Sequence, residues 1–244
     1  MNIQFFSDIH TEYYADRGAD WLNKLDPEGV DALLIAGDLG LVKHCYKTVI
    51  PILADKYKQI VLVLGNHEYY KKQMLQYMWQ TIRKLESKYD NFKVLDNESI
   101  EINGITVYGG TMWFSADPLN IIYEKGMNDF SQIRQLRSWV YKNNSDFQYK
   151  LKQIDTPDVI LTHHLPSYYC IEENYVGDDL NRFYVTEMSK YIIHNKPKVW
   201  ICGHTHHSID QIICETQILS NPLGYPDSFN PHFRDKYTVE VNTT

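Results

Sequence analysis

Apolar residues recur along the chain with two different periods, and the alternation of those periods predicts the architecture. The runs at residues 3–6, 31–37 and 60–64 are short and nearly continuous, as expected of strands buried on both faces. Between them the spacing lengthens. Val49, Ile50, Leu53, Ala54 and Tyr57 share one face of a helix over residues 46–57. Met74, Leu75, Met78, Ile82 and Leu85 predict a long helix over residues 69–89. Strand and helix in strict alternation imply parallel strands joined by helical crossovers.

The pattern then changes. Runs at residues 99–102 and 105–108 flank Asn103-Gly104, a strong hairpin signal, so a second and partly antiparallel sheet is expected. Residues 111–157 hold an aromatic loop with Trp113 and Phe114 and a helix across 133–152, ending before Pro157. Strands at 158–162 and 198–202 bracket a tyrosine-rich loop and a helix over 186–194. Further strand-like runs lie at 209–214, 216–219 and 237–241. No repeat, low-complexity stretch or linker interrupts the chain, which predicts an α/β fold in a single domain over residues 1–244.

Composition narrows the function less than the pattern does. Hydrophobic content of 43% and charged content of 23% suit a globular protein large enough to bury a full core. The net charge of −7 counts against long, electrostatically held nucleic acid, although a local basic groove can hide in an average. Cys45, Cys170, Cys202 and Cys214 form no CxxC pair and read as free thiols in a reducing compartment. Met1 leads directly into a strand with no basic-then-apolar leader, and no apolar run approaches the ~18 residues of a membrane span. A cytoplasmic protein is expected. The 19 tyrosines reflect composition bias as readily as function.

The chemistry lies where strands end. Asp8-Ile9-His10, Gly37-Asp38, Gly65-Asn66-His67-Glu68, Thr162-His163-His164 and Gly203-His204-Thr205-His206 each follow a strand-like run. Ligands of α/β sheets bind beyond the carboxyl ends of the strands, where all five clusters fall. On a pleated strand, residues two apart face the same side, so Asp8 and His10, and likewise His204 and His206, can share an ion. Asp8, His10, Asp38, Asn66, His163, His204 and His206 make a seven-ligand set, sufficient for two divalent ions if Asp38 bridges them. Two such ions outweigh two aspartates and a bridging hydroxide by one positive charge, which favours an anionic substrate. Metal pairs ~3.5–4 Å apart recur in displacement at phosphorus. Imidazole, carboxylate and amide ligands without thiolate favour Mn, Fe, Zn, Co or Ni over Mg or Ca.

In this order the clusters resemble the signature of the calcineurin-like metallophosphoesterase superfamily, Asp-x-His, Gly-Asp, Gly-Asn-His-Asp/Glu, His and Gly-His-x-His. The resemblance implies an αββα sandwich of two mixed β-sheets flanked by helices, with the metal site at the C-terminal strand ends. It also implies that Asp8, His10 and His206 hold one metal, that Asn66, His163 and His204 hold the other, and that Asp38 lies between. Hydroxide bridging the metals would attack phosphorus. His67 would act outside the metal ligands, contacting the phosphate or protonating the leaving oxygen, a role suited to imidazole.

Where the protein-phosphatase branch continues Gly-Asp-x-x-Asp-Arg-Gly, this chain reads Gly37-Asp38-Leu39-Gly40-Leu41-Val42-Lys43, so His67 lacks that branch's aspartate partner. Phosphodiester or nucleotide-type substrates therefore rank above monoesters and phosphoproteins. A nuclease is a narrower alternative, and a non-catalytic scaffold on the same fold is another, although no ligand of the signature is missing. Residues 127–130 and 221–225 resemble a subgroup of small bacterial and phage-type enzymes.

Other residues have weaker claims. His164 either donates to substrate or is structural; Asn128, Asp129, Arg182 and Arg234 are candidate substrate contacts. Tyr168, Tyr169 and Tyr175 either pack or form a rim for a base. Glu68 reads as a cap for the helix after it. His44, His194, His207 and His232 read as surface or structural residues.

Overall fold

Side chains on successive strand residues point to opposite faces, and here both faces are apolar. In the computed structural model, which describes residues 1–243, this places helices on both sides of a pair of stacked sheets. In the first sheet β1 (Asn2–Phe6), β2 (Ala32–Ile35), β3 (Ile60–Val63) and β4 (Phe92–Leu95) run parallel. Their crossovers carry α1 (Ala19–Lys24), α2 (Val42–Lys56) and α3 (Leu75–Glu86). The second sheet contains β5 (Glu98–Ile102), β6 (Ile105–Gly110), β7 (Val159–Thr162), β8 (Val199–Cys202), β9 (Ile209–Ile213) and β10 (Thr216–Ser220). Its spatial order is β5-β6-β7-β8-β10-β9, with β6, β7, β8 and β10 parallel and both edge strands antiparallel.

Between β6 and β7 lie the one-turn helices α4 (Asn120–Tyr123) and α5 (Asp129–Gln132), followed by α6 (Val140–Leu151). Helix α7 (Ser189–Asn195) precedes β8. A two-residue hairpin, β11 (Gly224–Tyr225) with β12 (Ser228–Phe229), leads to β13 (Thr238–Glu240), which pairs antiparallel with β1.

Three apolar layers result. Leu34, Val61 and Val63 from the first sheet meet Val107, Leu161 and Ile201 from the second between the sheets. The alternate residues Leu33, Ile35, Ile60 and Leu62 pack outward with Val49, Leu53 and Ile82 of the helices. Ile160, Trp200 and Ile218 pack outward with Phe147, Leu151 and Ile192. This is the expected αββα sandwich, and it explains why the central strands read as unbroken apolar runs. No helix among the described residues is long and apolar enough to cross a membrane.

The local differences from expectation have physical causes. The long helix expected over 69–89 is a 3-10 turn at His67–Tyr69 and then α3 from Leu75, separated by Lys71 and Lys72 with φ of 59° and 49°. Hydrogen bonds from Asp38 and Gly40 to Glu68, and from His67 to Asp38, tie that first turn to the loop after β2, and Met74 is exposed rather than core. The helix expected across 133–152 starts at Val140, because Gln135 adopts φ 52° and a 3-10 turn follows at Leu136–Ser138. The pattern did not mark β4, α1 or the short hairpin as elements. Trp113 and Phe114, placed in a loop, are wholly buried, with Trp113 at φ 53°.

The close approach of the sheets depends on Gly109 in β6. A Cβ there would lie 2.8 Å from Val63 Cγ1, 3.0 Å from Leu95 Cδ1 and 3.2 Å from the Leu161 carbonyl oxygen. Gly109→Ala should therefore lower unfolding free energy by about 1–3 kcal/mol in urea denaturation, the usual cost of overpacking. An unchanged midpoint would show that the sheets part freely.

Candidate metal centre

All five clusters stand just past the C-terminal ends of β1, β2, β3, β7 and β8. They do not reach the site by strand pleating. Asp8, His10, Asp38, His204 and His206 have φ of 54°, 51°, 53°, 73° and 55°, the left-handed region. Such residues cost roughly 1–3 kcal/mol each and persist only where surrounding structure fixes them. The i, i+2 pairing of Asp8 with His10 and of His204 with His206 thus comes from tight turns, correcting the pleat-based expectation.

The glycines in the signature make room for these side chains. A Cβ on Gly65 would lie 2.1 Å from Asp38 Oδ1, one on Gly37 2.5 Å from His163 Nδ1, and one on Gly203 2.7 Å from Asp8 Oδ2.

The seven expected ligands are brought together as two sets. In the first, His10 Nε2 lies 2.9 Å from His206 Nε2, and His206 Nε2 lies 3.4 Å from Asp8 Oδ1. In the second, Asn66 Oδ1 lies 3.0 Å from His163 Nε2, and the His163 and His204 rings are 4.8 Å apart. Asp38 stands between, its Oδ2 3.9 Å from His10 Nε2 and 3.5 Å from His163 Nε2. His163 Nδ1 donates to the Ala36 carbonyl at 2.8 Å, which fixes its tautomer and leaves the Nε2 lone pair facing inward.

This donor set fits divalent cations. His204 Nε2 is buried without a hydrogen-bond partner among the described residues. Burial pushes His10 and His163 down to about 4 and His204 well below the usual histidine value, which favours the neutral ring that a metal ligand needs. Burial, with the like charges of Glu68 and Asp8, pushes Asp38 well above the carboxylate range. Burial alone would raise Asp8, but His206, His163 and His10 hold it low. Neighbouring anions facing imidazole lone pairs lack counter-charge, and cations supply it.

His67 has a carboxylate partner after all. Its Nδ1 donates to Glu12 Oε1 at 2.7 Å, a residue that the sequence reading overlooked although Asp8, His10 and Glu12 follow at regular two-residue intervals. Burial would raise Glu12, but the imidazoles of His10 and His67 pull it down to about 2, so the acceptor is ionised. The backbone N–H of His67 donates to Asp38 Oδ1 at 2.8 Å, and Tyr70 stacks on its ring with centroids 4.2 Å apart. The Tyr225 hydroxyl lies 3.2 Å from His67 Nε2. Tyr225 is delivered by the 221–225 segment, whose backbone straps the first cluster through Leu223 N–H to Ser7 and Gly224 N–H to Asp8.

Glu68 is not a helix cap. Wholly buried, it accepts from the N–H groups of Asp38, Gly40 and Gly65 and from the Tyr46 hydroxyl.

Asp38, Asn66, His67, His204 and His206 open into a cavity of about 370 Å³. Asn128 and Asp129 line it, but Asp129 Oδ1 accepts from Asn66 Nδ2 at 2.8 Å and from Tyr70 at 2.7 Å, so it orients a candidate ligand residue. Of the three rim tyrosines, Tyr175 lines the cavity and Tyr168 and Tyr169 do not, all three being exposed.

The remaining candidates lie elsewhere. Arg182 is outside the lining, over the Tyr123 ring and 3.3 Å from Asp117. Arg234 stacks on Tyr237, also outside. His164 is wholly buried, donates to the Thr111 carbonyl and is not among the residues lining the cavity. His44, His194 and His232 are exposed, and His207 sits 3.8 Å from Glu172.

The family profile for calcineurin-like phosphoesterases matches residues 1–208, and the chain belongs to that family. It is 27% identical to uncharacterized protein L509 of Acanthamoeba polyphaga mimivirus, over 274 aligned positions covering 94% of each chain. Among solved structures, the phosphopantetheinyl hydrolase PptH of Mycobacterium tuberculosis superposes with a TM-score of 0.71 at 14% identity, covering 93% of this chain and 90% of that one. TT1561 of Thermus thermophilus gives 0.59 at 16% identity, covering 91% and 88%. At these identities the likeness speaks for the fold.

The buried charge predicts a reversal of sign. In chelator, Asp38→Asn should equal or exceed the wild type in melting temperature, since it removes a carboxyl whose ionisation burial and the neighbouring Glu68 and Asp8 oppose. With Mn at ~100 times its Kd the wild type should gain about 2.7 kcal/mol per site, and the variant clearly less. Thermal unfolding with metal analysis reads both; equal metal gains would remove Asp38 from the ligand set.

Proposed function

We propose that this chain is a two-metal phosphoesterase, with phosphodiester or nucleotide-type esters preferred over monoesters. The observation that carries the reading is Asp38, positioned between two sets of inward-facing donors at the mouth of a cavity. Asp8, His10 and His206 would hold one cation and Asn66, His163 and His204 the other, with Asp38 shared. When bound, such a pair, drawn from Mn, Fe, Zn, Co or Ni, neutralises phosphoryl charge and makes hydroxide accessible near neutral pH.

The chain's own groups do the rest. Asp129 holds the Asn66 amide so that its carbonyl oxygen faces His163. Glu12 fixes a proton on His67 Nδ1 and the orientation of the ring, leaving Nε2 beside Tyr225 at the cavity. From there His67 can hydrogen-bond a phosphoryl oxygen or protonate the leaving oxygen.

The preference for diesters follows from charge. No lysine or arginine is among the residues lining the cavity. A monoester dianion would have only the cations to balance it, whereas a diester carries a single charge. The same lack of basic lining disfavours a nuclease reading, because a long backbone needs cationic side chains.

Mn-loaded protein should hydrolyse bis-p-nitrophenyl phosphate with a higher kcat/KM than p-nitrophenyl phosphate. His67→Asn should lower kcat by about 10²–10⁴-fold, and Glu12→Gln by about 10–100-fold, both with metal content retained. Absence of turnover with Mn, Co, Ni and Zn alike would sink the proposal; a monoester preference would overturn only its substrate half.

A further inference from the structure

A second cavity, of about 590 Å³, has the opposite electrostatic character. Lys43, Lys47, Lys71, Lys72 and His44 line it, with no aspartate or glutamate in the lining. The lysine ion pairs among the described residues involve Lys58, Lys93, Lys142, Lys196, Lys198 and Lys236, so these four lysines are left without an acidic partner. In a chain of net charge −7, that concentration is a local exception.

The backbone adds to it. Helix α2 begins at Val42 and α3 at Leu75; neither has a capping side chain or an acidic residue in its first turn. Uncapped N–H groups at a helix start carry partial positive charge, which Lys43 compounds rather than offsets. Leu41 and Met74, the residues before these helices, both line the cavity. Part of the lining is apolar: Met78 is buried, while Met74 and Tyr77 leave 45% and 62% of their surface exposed. A lining that combines cations with an exposed aromatic and a thioether suits a ligand with anionic groups joined to a flat apolar body. Its volume falls in the range of small-molecule sites.

We propose that this cavity is a binding site for a nucleoside di- or triphosphate, with the phosphates on the lysines and the base against Tyr77 and Met74. It is separate from the metal centre but walled by the same two loops. The chain from Asp38 to Leu41, and that from His67 to Lys72, each contribute to both cavities.

The test uses the full-length, metal-loaded protein and calorimetric titration with α,β-methylene-ADP, which resists hydrolysis at the phosphate bridge. The wild type should bind, and Lys43→Ala/Lys47→Ala and Lys71→Ala/Lys72→Ala should each weaken binding at least tenfold. Tyr77→Ala should weaken the nucleotide more than pyrophosphate. Turnover of bis-p-nitrophenyl phosphate without nucleotide should be unchanged in all three. Equal affinity in wild type and both lysine variants would place the nucleotide at the metals and overturn the proposal, as would no binding at millimolar concentration. Tighter, steeply salt-dependent binding of a short single-stranded oligonucleotide would put nucleic acid there instead, and overturn it too.

Discussion

Four hydrogen bonds to one carboxylate hold in shape the end of this molecule that carries the candidate site. Glu68 takes the N–H groups of Asp38 and Gly40 from the loop after β2, the N–H of Gly65 from the loop after β3, and the Tyr46 hydroxyl from α2. Burial pushes its acid up to about 7 even against those donors. With the loops locked together, the N–H of His67 meets Asp38 Oδ1, and candidate metal ligand and candidate acid are set in one geometry. The same clamp accounts for the interrupted helix, since the 3-10 turn at His67–Tyr69 cannot relax into α3 without breaking it.

The surrounding charge extends that constraint. Asp8, Asp38, Glu68 and Asp129 are buried, and the Glu12 side chain is only 8% exposed. The imidazoles among them are driven neutral by burial, so they offer lone pairs rather than counter-charge. Left-handed backbone at five of the seven expected ligands adds conformational cost. Both penalties belong to the protein alone, and both are of the kind that bound cations offset. A cluster built only for stability would hold neither.

Much of this was legible in the sequence because it is periodic or punctuated. Buried parallel strands read as unbroken apolar runs, and the clusters announced themselves by following those runs. What remained hidden depends on contacts between distant segments. Glu12 looked like an ordinary acidic residue because its partner His67 is 55 positions away. Glu68 looked like a cap because its local setting, ahead of a helical pattern, is that of a cap; its real partners are the loop amides. Arg182 and Arg234 suited a phosphate by type, but Asp117 and the rings of Tyr123 and Tyr237 hold them elsewhere. Even the proximity of Asp8 to His10 was expected from strand pleat, whereas the structure achieves it with two left-handed residues.

The separation of charge between the two cavities follows from the same physics. A lysine beside Asp8 or Asp38 would satisfy the buried anions that otherwise recruit divalent cations, and would compete for them directly. The first cavity has no lysine or arginine in its lining, as a site for divalent cations would require. The loops that supply Asp38 and His67 then carry on into Leu41, Lys71 and Lys72, where no metal competes and lysines are free to gather. The same two loops thus contribute candidate metal ligands to one cavity and lysines to the other, so the positive charge available to an anion would come from a different source in each.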